Sequence, residues 1–210
     1  MSNIFNRDQV PLPFEAIFGL DDIAEPSSKQ LNRLHLEEQQ ELNQLENESR
    51  RREFVSSRLL FKKLAQEWEL PEMEFLVWKN EWGNPFAKTR LEQFEVSIAH
   101  TNKKVLCGLA REHPIGIDLE PTDRKVADGL RTRIMHPEEK DGKDTVSTIQ
   151  LWTIKEAYIK LLGKGLRLNM NDVKVLKDGD YFLAKLDNDK QAKVCSFQFD
   201  NNWLAIAFYS

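Results

Sequence analysis

Asp118 and Glu120 stand two residues apart in the run Ile115-Gly-Ile-Asp-Leu-Glu120, which reads as a strand, so both carboxylates project from one face. Two neighbouring carboxylates repel each other. On an otherwise apolar strand that charge is costly unless a cation or water lies between them. A hard divalent ion such as magnesium suits the position, because it takes oxygen ligands and keeps waters that a phosphate can replace. The spacing alone fits a solvated strand end better than a site. Glu156 and Lys160 shift the balance. They are neighbours four apart on a helix over 148–162, opposite the stripe Leu151, Ile154, Tyr158, Leu161 and Leu162. Such a pair is ordinarily a surface contact worth about 0.5 kcal/mol. Here the helix reads as wedged between apolar layers and runs into Gly163-Lys164-Gly165, a turn in which a lysine can approach a phosphate. It is not a P-loop, since the glycine spacing differs and the turn follows a helix.

The elements that must position these residues are legible in outline. Residues 1–25, with Pro11 and Pro13, read as strand and loop, and Pro26-Ser27-Ser28 as a helix start. From Lys29 to Trp68 there is no Pro or Gly, and Leu31, Leu34, Leu42, Leu45, Phe54, Leu60, Phe61 and Leu64 recur at helical spacing. That is long for one helix, so two are expected, with a bend between Glu46 and Ser49. Strands are expected at Phe75–Trp78, Phe94–Ile98, Val105–Ala110 and Ile115–Leu119, with a turn over Glu81–Pro85. A helix over about 123–133 precedes the one at 148–162. Four strands close the chain: Val173–Leu176, Tyr181–Leu186, Val194–Phe199 and Trp203–Phe208, the last two joined by a turn at Asp200-Asn201-Asn202. The order permits two similar halves, 1–112 and 113–210, although no self-similarity of sequence shows it.

Composition excludes several classes. Hydrophobic residues at 40% and charged residues at 30% predict a packed α+β protein rather than a disordered one. A net charge of −4 argues against a general nucleic-acid binder. One basic run exists, Arg50-Arg51-Arg52 with Arg58, Lys62 and Lys63; it is either a solvated helix face or an anion contact. Cys107 and Cys195 lie in apolar, strand-like surroundings, so two buried thiols and a reducing compartment are expected. No leader pattern and no membrane-length apolar run is visible, which makes the cytoplasm the expected location.

Two segments carry a resemblance. Ile115-Gly-Ile-Asp-Leu-Glu120, followed by Trp152-Thr-Ile-Lys-Glu-Ala-Tyr-Ile-Lys-Leu-Leu-Gly-Lys-Gly-Leu166, resembles the two signature motifs of the 4'-phosphopantetheinyl transferase superfamily, in the spacing of its surfactin-synthetase-activating (Sfp) type. Ser97-Ile-Ala-His-Thr101 resembles the family's Ser-x-Ser-His-Ser segment and Glu81-Trp-Gly-Asn-Pro85 its Gly-Lys-Pro turn. Arg52-Glu-Phe54 with Arg58 resembles its Arg-rich helix, and Met135-His-Pro-Glu-Glu139 its Phe-Ser-x-x-Glu segment, so the likeness covers roughly 45–170. It implies an α+β pseudo-dimer of two similar subdomains, with the active site in the cleft between them. It also implies transfer of the 4'-phosphopantetheine arm of coenzyme A to a serine of an acyl or peptidyl carrier protein, by a monomer using magnesium and needing neither nucleic acid nor membrane. Asp118, Glu120 and Glu156 fall on the metal carboxylates. Glu156, as base, and Lys160, at the leaving group, fall on the catalytic positions. Arg52, Arg58, His100, Thr101, Lys155 and Lys160 fall on coenzyme A contacts. Asn84 stands where the family usually has Lys, and Ala99 where it has Ser beside the His; both put affinity for coenzyme A in doubt, not the metal trio. The competing reading is a non-catalytic coenzyme A or nucleotide-binding protein of the same fold, and a scaffold role for the 29–68 helices is a weaker one.

Overall fold

Capping residues decide where the helices of the first half begin. The computed structural model describes the chain apart from residues 1–2, 7–9, 73, 82, 140–145 and 165–167. Trp82 of the expected turn, Gly165 of the expected helix stop and Leu166 of the second motif lie outside the described residues. The chain divides into two compact units, 1–112 and 113–210. In the first, Ser27 caps α1 (Ser28–Leu31), and Asn47 caps α3 (Glu48–Glu67) by accepting the Arg50 N–H at 3.0 Å. Between them, α2 (Leu36–Asn43) starts where the Glu38 carboxylate accepts the His35 N–H. The expected pair of helices is therefore three segments. The expected bend is there, but the His35–Glu38 box adds a second break.

Strands β1 (Asn3–Asn6), β2 (Ala16–Asp22), β3 (Leu76–Lys79), β4 (Pro85–Lys88), β5 (Gln93–His100) and β6 (Lys104–Ala110) form one antiparallel sheet, ordered β1-β2-β6-β5-β4-β3. β4 is a strand that the sequence reading missed, because Pro85 punctuates the turn and also opens the strand, where its missing N–H is tolerated. Leu60, Phe61, Leu64 and Ala65 of α3 form the core with Phe75, Phe94, Val105 and Cys107.

The second unit holds β7 (Ile115–Pro121), α4 (Leu130–Ile134), α5 (Thr148–Leu162), β8 (Val173–Asp178), β9 (Tyr181–Leu186), β10 (Ala192–Phe199) and β11 (Asn202–Phe208), with sheet order β7-β11-β10-β9-β8. The helix expected over 123–133 shrinks to five residues, since Gly129 at φ 79° takes a left-handed conformation that a helix interior does not contain. α5 spans the expected range: the Ser147 hydroxyl accepts the Gln150 N–H at 3.1 Å, and Gly163 at φ 65° ends it. Asp200 and Asn201, both at positive φ, make the expected β10–β11 turn.

Apart from β1, the two units share one connectivity. A strand leads through helices into a four-strand meander, whose last strand pairs with the first: β2-β6-β5-β4-β3 in one unit and β7-β11-β10-β9-β8 in the other. The fold is thus α+β, built from two similar halves. Both cysteines are free and buried. No helix among the described residues is long and apolar enough to cross a membrane.

Gly116 fixes how closely α5 lies on β7. A Cβ there would stand 2.0 Å from the Ala157 carbonyl oxygen and 2.4 Å from the Leu161 nitrogen, both backbone atoms that cannot rotate away. Gly116→Ala should cost about 3 kcal/mol in urea unfolding.

Candidate active site

α5 is covered on most of its surface. Of residues 151–160, only Trp152, Glu156 and Lys160 are part exposed, and their i, i+4, i+8 spacing makes them one stripe. Lys160 Nζ donates to Asp118 Oδ1 at 2.8 Å, tying this stripe to β7. Asp118 is buried at 6% exposure, and its Oδ2 is a buried oxygen that accepts no hydrogen bond. Glu120, on the same strand face, pairs with the Arg124 guanidinium, which also lies 5.1 Å from the centre of the Trp152 ring. Arg124 escaped the sequence reading; its only signal was its place four residues after Glu120.

The electrostatics show a surplus of negative charge. Burial, then Asp118, push the Glu120 carboxyl up to about 7; Arg124 and Lys160 oppose this, and Glu156 adds to it. Burial, then Asp118, also raise Glu156, against Lys160 and Arg124. The three carboxylates are therefore within electrostatic reach of one another, and two cations leave one charge over. Among the described residues no three acidic, His or Cys side chains form a finished metal-holding group, and Lys160 and Arg124 hold two of these carboxylates instead. The donor chemistry nonetheless fits a hard divalent cation: oxygen ligands only, a surplus negative charge, and an orphaned carboxylate oxygen on Asp118.

This surplus has a consequence for stability without metal. Glu120 binds its proton more tightly folded, at about 7, than at its ordinary 4.5. Its stabilising contribution is therefore complete below pH 4.5 and is lost as the pH rises through about 7. Glu120→Gln should remove a slope of roughly 2–3 kcal/mol between those limits, measured by urea unfolding in the presence of a chelator.

The remaining candidates are placed differently. Lys155, expected at a phosphate, is fully buried. Its Nζ donates to the Ile134 and Val173 carbonyls, each at 2.7 Å, and to Glu139 Oε2 at 2.8 Å, which uses all three N–H bonds. Glu139 also accepts the His136 and Val175 N–H groups. In unit 1, Arg58 is buried rather than exposed: it lies near Glu38 at 3.6 Å and Glu41 at 3.7 Å, with its guanidinium over the Phe54 ring. Two of the six cations in the basic run, Arg58 and Lys62, are thus internal, while Arg50 is exposed and Arg51, Arg52 and Lys63 are part exposed. Arg51 donates to the Leu42 and Leu45 carbonyls at the end of α2, and Lys62 is buried against Glu38. Arg52 stays part exposed, 3.5 Å from Glu25. His100 is half-exposed at the end of β5, 3.5 Å from Glu53, and the Thr101 hydroxyl accepts the Lys103 and Lys104 N–H groups in the β5–β6 turn. Ala99 is buried, on the opposite strand face from His100, so a hydroxyl there would not join it. Asn84 donates its backbone N–H to the Asn80 side chain.

This geometry meets a known pattern. The model of the 4'-phosphopantetheinyl transferase superfamily matches residues 114–208, nearly the whole of the second unit. It is similar to the 4'-phosphopantetheinyl transferase gsp of Aneurinibacillus migulanus, 30% identical over 67% of this chain and 60% of that protein. The 4'-phosphopantetheinyl transferases psf-1 of Bacillus pumilus and Sfp of Bacillus subtilis strain 168 are each 25% identical, over 68% and 65% of this chain. The matched stretch spans 64% of each of those two, so the chain covers less than two thirds of the length of these relatives.

Proposed function

We propose that the chain transfers the 4'-phosphopantetheine moiety of coenzyme A to a serine of an apo carrier protein, releasing 3',5'-ADP. The supporting observation is the contact of Lys160 with Asp118, which keeps one buried oxygen without a hydrogen bond and lies within electrostatic reach of Glu120 and Glu156. Asp118, Glu120 and Glu156 would hold magnesium, which when bound would neutralise their charge and that of the pyrophosphate. Glu156, whose carboxyl is held above its ordinary range by burial and by Asp118, is suited to take the serine proton. The serine oxygen bonds to the β-phosphorus of coenzyme A, the bond from that phosphorus to the bridging oxygen breaks, and 3',5'-ADP leaves. Lys160 donates a hydrogen bond to the departing phosphate. Arg52 and His100, part exposed, remain candidates for the nucleotide phosphates of coenzyme A; Arg58 and Lys155 act through packing. Two buried, unpaired thiols favour a reducing compartment such as the cytoplasm.

The test is direct. Incubated with coenzyme A, magnesium and an apo carrier protein, the chain should add the phosphopantetheine mass to the carrier, and a chelator should stop it. No mass gain across fatty-acid, polyketide and peptide carriers would sink the reading; gain that survives the chelator would remove the metal from it.

A further inference from the structure

Unit 1 contains the strand–helix arrangement of the candidate site a second time. Lys63 of α3 donates to Asp21 Oδ2 of β2 at 2.7 Å, as Lys160 of α5 does to Asp118 of β7 at 2.8 Å. A glycine stands two residues before each aspartate, Gly19 and Gly116. A Cβ on Gly19 would meet Leu60 and Leu64; one on Gly116 would meet Ala157 and Leu161. Five residues before each lysine is a buried cation, Arg58 or Lys155. Each faces a glutamate held by a His-x-x-Glu turn: Glu38 accepts the His35 N–H, and Glu139 the His136 N–H. One constant separation along the chain relates Gly19, Asp21, Arg58, Leu60 and Lys63 to Gly116, Asp118, Lys155, Ala157 and Lys160.

The copies differ at two chemical positions. By that same separation Glu120 corresponds to Ile23 and Glu156 to Leu59. Ile23 packs against the unit 1 core and Leu59 is buried among Leu34, Leu42, Phe54 and Val55. The aspartates differ as well. Asp21 has both oxygens satisfied, Oδ2 by Lys63 and Oδ1 by the Asp22 N–H at 2.9 Å, whereas Asp118 keeps a buried oxygen that accepts nothing. Beside Asp21, Leu59 and Lys63 lies a cavity of about 70 Å³, room for an ion with a water or two; Asp22 and Arg33 also line it, while Ile23 packs toward the core next to it.

We propose that positions 23 and 59 decide which half can hold a divalent cation, and that unit 1 gains an oxygen-ligand cation site beside Asp21 when both are glutamate. This rests on reading Asp118, Glu120 and Glu156 as metal ligands. Around this cavity Asp21 is matched by Lys63, Asp22 by Lys104 and Arg33 by Glu72, which leaves no charge for a cation to neutralise. Two added carboxylates on the same strand and helix faces recreate the surplus found in unit 2.

The experiment titrates the full chain with Mn²⁺, counting bound ion by electron paramagnetic resonance and mapping protection by hydrogen exchange. In a Glu120→Gln/Glu156→Gln background, adding Ile23→Glu/Leu59→Glu should raise the count by one site and bring Mn²⁺-dependent protection to β2 and α3. A folded graft with no added site overturns the proposal. Leu59 is buried, so the reverse variant guards against a graft that fails to fold. Glu120→Ile/Glu156→Leu should fold, melt higher than the parent without metal, and bind no Mn²⁺ in unit 2; failure to fold overturns the equivalence. Absence of Mn²⁺ binding by the unmodified chain counts against the metal reading of unit 2 alone, because the graft is measured without those carboxylates.

Discussion

Glu156→Gln should lower kcat for transfer to a carrier protein about 10³-fold, the middle of the range for losing a general base. The same change should raise the stability of the protein in chelator near pH 7.5. Both follow from one fact. Burial and the Asp118 charge hold the Glu156 carboxyl above its ordinary range, so its ionised form is disfavoured in the folded chain. A glutamine keeps the shape and removes the disfavoured charge. The sign follows from linkage: a raised carboxyl contributes stability at low pH and loses it as the pH climbs, so the gain from glutamine grows toward neutral pH and vanishes in acid. With magnesium added the order should reverse, because only the parent has its third carboxylate to offer. A variant that keeps full activity would remove Glu156 from both roles. One that loses activity but gains no stability in chelator would show that its charge is not the strained member of the trio.

Opposite effects on stability and activity are expected of a site whose charges await a ligand, and they separate it from a surface ion pair. The spacing of Glu156 and Lys160 cannot make that distinction. Burial makes it, by leaving Trp152, Glu156 and Lys160 as a narrow window on a stretch, 151–161, otherwise packed into the core.

α5 was legible to the residue because its own neighbours mark it: Ser147 caps one end, Gly163 ends the other, and its apolar period is unbroken. Strand and helix periods likewise foretold that Asp118 and Glu120 share one strand face and that Glu156 and Lys160 share one helix face. β4 was not, because four residues beginning with proline look like the turn they leave. α4 was overestimated because Gly129 acts through a backbone angle, which composition does not record. The duplication was hidden because the identical pairs, Gly19 with Gly116, Asp21 with Asp118 and Lys63 with Lys160, are few and lie among changed residues: Arg58 matches Lys155, and Leu60 matches Ala157. The basic run was misjudged for another cause. Whether a cation faces solvent or a buried carboxylate depends on partners far along the chain, as Arg58 does on Glu38.

Lys155→Met gives the second large effect and tests that last point. The substitution should destabilise the protein by roughly 3–5 kcal/mol, since it leaves the Glu139 carboxylate buried without its counter-charge. It also takes the donor from the Ile134 and Val173 carbonyls. These contacts tie α5 to the 137–139 turn and to β8, so they set the roll of the helix that presents Glu156 and Lys160. Transfer activity should fall with stability. Adding Glu139→Gln to Lys155→Met removes the stranded charge, and stability and kcat should both recover in part, giving a favourable coupling in a double-mutant cycle. A lysine that binds the pyrophosphate predicts otherwise. The double variant would then keep a raised KM for coenzyme A however stable it became, because no change at Glu139 could return a cation to the phosphate. Recovery of kcat at unchanged KM therefore assigns Lys155 to holding the helix, one residue from the carboxylate that it serves.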